Sequence, residues 1–100
     1  MGWAMHHIAK LKEGQTVSFR PHGHSMTPII VSGQLCTVEP VEVAALKVGD
    51  VVLCKVGGAE YLHLVKAIDG QRYQIGNNRG RINGWIAATS VYGRLVKVEP

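Results

Sequence analysis

The sequence predicts one all-β domain, a small, partly closed, barrel-like sheet preceded by a short helix. Three observations predict it: alternating or β-branched apolar runs after Gly14, turn residues at close spacing between those runs, and a length of 100 residues, room for one core. Hydrophobic residues make up 46% and charged residues 18%, a balance that supports a packed core and excludes a disordered tail. Residues 1–100 are therefore read as a single unit, with a helix at 4–12 and a β core at 16–98.

Ala4, Ile8 and Leu11 recur at helical spacing, and Gly14 ends that pattern. Val17 and Phe19 then alternate with Ser18 and Arg20, and Leu35 to Val38 is a short apolar segment. Val51 to Val56 is a β-branched run bounded by Gly49-Asp50 and Gly57-Gly58, so it reads as a strand turning through a hairpin into Tyr61 to Ile68. Asp69-Gly70 offers another reversal, into Arg72 to Ile75. Asn77 to Gly80, with Asn83-Gly84 soon after, reads as a polar loop, and Val91 to Val98 as the last strand. Closure of the sheet is expected, because it would protect the strand edges.

The longest uninterrupted apolar runs, such as Val51 to Cys54, hold four residues, against the roughly 20 that span a bilayer. No membrane span or secretory segment is expected, and the reading is of a soluble, cytoplasmic protein. The formal charge of +4 is scattered apart from Arg79 and Arg81, so a nucleic-acid partner acting through Arg79, Arg81 and Trp85 ranks last. Cys36 and Cys54 have neither zinc-ribbon nor disulfide-framework spacing and read as core cysteines.

The stretch Pro21-His22-Gly23-His24-Ser25-Met26-Thr27-Pro28 concentrates a hydroxyl, imidazoles, a glycine and two prolines between strands. Gly23 would let backbone approach a substrate carbonyl, Pro28 would fix the chain beyond, and Ser25 could then present its hydroxyl and N–H to a cleft. The bland account is a serine that only turns the backbone. Gly23 to Pro28 resembles the GxSMxP nucleophile motif of the superfamily that contains type I signal peptidases and the self-cleaving domain of LexA-type repressors. Two further blocks agree in order. Leu46 to Val52 resembles the family's Gly-Asp-Val strand entry, and Tyr61 to Val65 falls where the family carries its catalytic base. A histidine there is similar to the endoplasmic-reticulum and archaeal signal peptidases, and Ile75-Gly76-Asn77-Asn78 resembles their GDNN block.

The resemblance implies Ser25 as nucleophile, His63 as general base, Asn83 where that branch carries Asp, and Gly23, His24, Met26 and Pro28 around substrate and oxyanion. It implies no cofactor and no metal. The substrate would be an extended peptide or protein segment with small side chains beside the scissile bond. Chemistry agrees in kind, since a serine hydroxyl needs a base that titrates near working pH, as imidazole does. Strand alternation sets Tyr61, His63 and Val65 against Leu62, Leu64 and Lys66, so His63 and Lys66 are not both expected at Ser25, and the base position that the resemblance implies chooses His63. An Asn at position 83 orients imidazole without a charge to stabilise imidazolium, so weak catalysis is expected. The alternative is a weak or inactive module that binds a peptide or partner protein or pairs with itself as a homodimer. A metal site of His22, His24 and His63 has no acidic ligand at suggestive spacing and ranks low.

Overall fold

The computed structural model describes residues 2–100. Helix α1 (Met5–Lys12) is followed by β1 (Val17–Phe19), β2 (Leu35–Glu39), β3 (Val51–Val56), β4 (Ala59–Asp69), β5 (Arg72–Gly76), β6 (Ile82–Ala87) and β7 (Val91–Glu99), with single 3₁₀ turns at Val43–Ala45 and Ala88–Ser90. All seven strands join one antiparallel sheet in the order β1-β2-β7-β3-β4-β5-β6. The all-β class and the N-terminal helix are as the sequence predicts. The expected closure is incomplete: β1 and β6 remain the two edges.

Burial on both faces explains why an open sheet suffices. Val51, Leu53, Leu62 and Leu64 pack with Ile8 and Leu11 of the helix, and Val52, Cys54 and Val65 pack on the other side with Tyr73, Ile75 and Ile86. The unbroken apolar run of β3 thus serves two cores, as expected of a strand buried on both faces. Gly93 of β7 marks a close approach between strands. A methyl group there would lie 2.7 Å from the Glu39 carbonyl oxygen and 2.8 Å from Val38 Cγ1.

β6 is the main correction to the sequence reading. Asn83-Gly84 lies inside that strand rather than in a loop, with Gly84 opposite Ile75 and Ile86 opposite Tyr73. Partner strand and buried Ile86 override the local turn preference of the dipeptide, and Gly84 absorbs the distortion at φ +147°. Cys36 and Cys54 are free and buried. Burial pushes the Cys54 thiol up to about 12, which leaves it inert at neutral pH. Among the described residues no helix is long and apolar enough to cross a membrane.

Candidate active site

The loop between β1 and β2 is tied at its base, where the Gly33 N–H donates to the Pro21 carbonyl at 2.9 Å and Arg20 Nη1 to the Gly33 carbonyl at 2.9 Å. Gly23, at φ +119°, donates its N–H to Ser32 Oγ at 3.1 Å across the loop. Met26 and Ile30 are buried in the core under α1, joined by an Ile30 N–H bond to the Met26 carbonyl of 3.0 Å. Burying Met26 holds its exposed neighbour Ser25 against the sheet. The small, positive-φ Gly23 and the apolar Met26 therefore do opposite work on either side of the hydroxyl: one lets the chain turn, the other anchors it.

His63 reaches the same point from β4, opposite Val52 of β3. Its Nε2 lies 3.2 Å from Ser25 Oγ, and its Nδ1 lies 2.7 Å from Asn83 Oδ1 on β6. Asn83 Oδ1 accepts the Nδ1 proton, so the Nε2 lone pair faces the serine hydroxyl. The Tyr61 ring stacks on the imidazole with centroids 4.8 Å apart. Only 7% of His63 is exposed. Burial is the chief influence holding its pKa below 6.5; the Asn83 hydrogen bond acts against it, and the Arg81 cation adds to it. A buried neutral imidazole bonded to an exposed hydroxyl is able to take its proton. Lys66 does not occupy the base position: its Cγ packs beside Gly76.

The Asn77-Asn78 pair does two jobs. Asn77 Oδ1 accepts the N–H groups of Arg79 at 2.8 Å and Arg81 at 3.0 Å, which closes the β5–β6 loop. Asn78 clamps that loop onto the serine loop, donating its backbone N–H to the Ser25 carbonyl and Nδ2 to the Thr27 carbonyl, each at 2.9 Å. The expected resemblance covers the pair as a block without saying which groups it would tie.

A cavity of about 440 Å³ adjoins Ser25. Gly23 and Met26 line it, whereas His24 and Pro28 do not. His24 is exposed, and its carbonyl accepts from Thr27 Oγ1 at 3.0 Å; Pro28 follows a cis peptide bond. Glu60 also lines the cavity and is a residue the sequence reading missed, although a lone carboxylate in register with Leu62 and Leu64 was a visible signal. His22 lies near Ser32 rather than His63, and among the described residues no three His, Cys, Asp or Glu side chains are grouped to hold a metal ion. No protein-family model matches the chain, and no curated protein matches it.

Proposed function

We propose that the protein is a small serine endopeptidase of the signal peptidase and LexA-type repressor kind, acting in the cytoplasm on an extended segment of a peptide or protein. The observation that carries this reading is the continuous relay from Asn83 through His63 to Ser25, with contacts of 2.7 and 3.2 Å. Ser25 Oγ attacks the substrate carbonyl carbon as its proton passes to His63 Nε2. The Ser25 N–H serves as the donor for the resulting oxyanion in this reading. The imidazolium then returns the proton to the leaving amine, and water attacks the acyl-enzyme by the same route in reverse.

An unpaired strand edge offers the substrate its place. Pairing of β5 with β4 begins at Leu64, and among the described residues no strand pairs with Ala59–His63 on that side. Val65 uses both backbone groups toward β3, bonding to Asp50 at 2.8 Å and Gly49 at 2.9 Å. Alternation therefore turns the N–H and C=O of Leu62 to the open edge, beside the dyad, where an extended peptide can add as a strand.

A fluorophosphonate probe tests the reading. The expected result is one covalent adduct, mapped by mass spectrometry to Ser25 and lost in Ser25→Ala and His63→Gln. An unlabelled wild-type protein defeats it. The second reading, a module that binds peptide or pairs with itself without cutting, is favoured by one observation: the imidazole's orienting partner, Asn83, carries no charge. That reading predicts peptide binding or dimerisation without probe labelling.

A further inference from the structure

The wall of the cavity opposite Ser25 is built by the N-terminal segment. Glu60 holds that segment in place twice: the Trp3 indole Nε1–H donates to the Glu60 carbonyl at 3.1 Å, and the Ala4 N–H donates to Glu60 Oε1 at 2.7 Å. Phe19 completes the wall, with Trp3 edge-on at 5.4 Å and His7 stacked at 4.5 Å. Three polar side chains of the lining are engaged with backbone groups. Glu60 accepts from Ala4, Arg20 donates to Gly33, and Ser32 accepts from Gly23. The larger share of the lining is apolar, from Trp3, Phe19, Met26, Ile30 and Leu62, with His7, Arg20 and His22 on its polar part.

We infer that this cavity receives a large uncharged apolar side chain, of phenylalanine or leucine size, from the residue adjoining the scissile bond of the peptide substrate. The inference rests on the peptidase reading in taking Ser25 as the reacting group, and it departs from the small side chains that the family resemblance implies. Apolar area favours the larger side chain. Against a largely apolar lining around about 440 Å³, a side chain of phenylalanine or leucine size covers more apolar surface than a methyl group does. Position agrees, because Leu62 belongs both to the open edge of β4 and to the cavity wall. In a peptide strand pairing at Leu62, the residue opposite Leu62 shares its face of the sheet and so lies on the side of Trp3 and Phe19. Trp3 is thus a specificity residue supplied from outside the sheet, and Glu60 is the residue that positions it.

The experiment measures binding apart from cleavage. In the double variant Ser25→Ala, Trp85→Phe, Trp3 is the sole tryptophan, and its emission reports the cavity. The ligands are capped hexaglycine peptides carrying Phe, Leu, Ala or Lys at the third position. The Phe and Leu peptides are expected to bind at least about tenfold more tightly than the Ala and Lys peptides, as filling an apolar pocket requires, and only they should change Trp3 emission. With Trp3→Ala in place, anisotropy of fluorescein-labelled peptides should show that preference reduced to about twofold or less. Equal or tighter binding of the Ala or Lys peptide, no binding by any of the four, or an undiminished preference in Trp3→Ala overturns the inference. The two readings fail separately. Labelling of Ser25 with Ala preferred defeats the cavity assignment alone, whereas a Phe preference without labelling defeats the peptidase and leaves the cavity as a peptide side-chain site.

Discussion

Burial favours the neutral form of His63, which is the form that the proposed reaction requires. Protonation removes the base, so probe labelling should rise with pH along a limb centred below 6.5. Removing the nearby cation in Arg81→Gln should move that limb upward, measured as the midpoint of the labelling rate against pH. Asn83→Asp should move it upward too, and should raise the plateau above it by at least about tenfold, since loss of the charged partner in a Ser-His-Asp triad costs about 10⁴. An unchanged plateau would mean that Asn83 does not act through the imidazole. The same shift bears on stability. The folded-state pKa lies below the unfolded one, so the contribution of neutral His63 is complete above about pH 6.5 and is lost as pH falls through the lower, folded value. Of these residues, Ser25, His63 and Asn83 were legible beforehand, from loop composition, strand parity and the ordered motif. The partners of Glu60 and Asn78 were not, because they are groups that only folding brings near: Ala4 lies 56 residues from Glu60, and Thr27 lies 51 residues from Asn78.

Two loops from opposite ends of the sheet order form the site, and Asn78 is the side chain that fastens one to the other. Asn78→Ala removes the bond to the Thr27 carbonyl and leaves the backbone bond to Ser25. A net hydrogen bond contributes about 1 kcal/mol, so the urea midpoint should fall only slightly. The labelling rate should fall further, by about tenfold, because small misplacement of a nucleophile is costly to rate. A proportionate fall in both would reduce Asn78 to a general stabiliser. At this scale the hairpins were readable from Gly57-Gly58 and Asp69-Gly70, where local turn chemistry and structure agree. β6 was not. Its Asn83-Gly84 carries a turn signal that pairing with β5 outweighs.

The whole molecule is one sheet with apolar packing on each face, joined through β3 and β4. Leu53, fully buried at their centre, should be among the costliest residues to truncate. Leu53→Ala is expected to destabilise by about 2–5 kcal/mol. For a 100-residue domain that lowers Tm by at least about 8 °C, read by thermal melting in circular dichroism. A change of a degree or two would show that the two cores are not mechanically joined at β3.

Periodicity and turn chemistry are local properties, so the sequence by itself determined the all-β class, the short helix, the strands from β1 to β5 and the last strand, β7. Parity on β4, again a local property, set His63 and Lys66 on opposite faces, and the ordered motif chose His63 between them. Only the tertiary structure decided that the sheet stays open, that β6 passes through Asn83-Gly84, and that Glu60 holds Trp3 as a wall of the cavity beside Ser25. These depend on which distant surfaces meet, and a contact between residues far apart in the chain leaves no period in the sequence from which to read it.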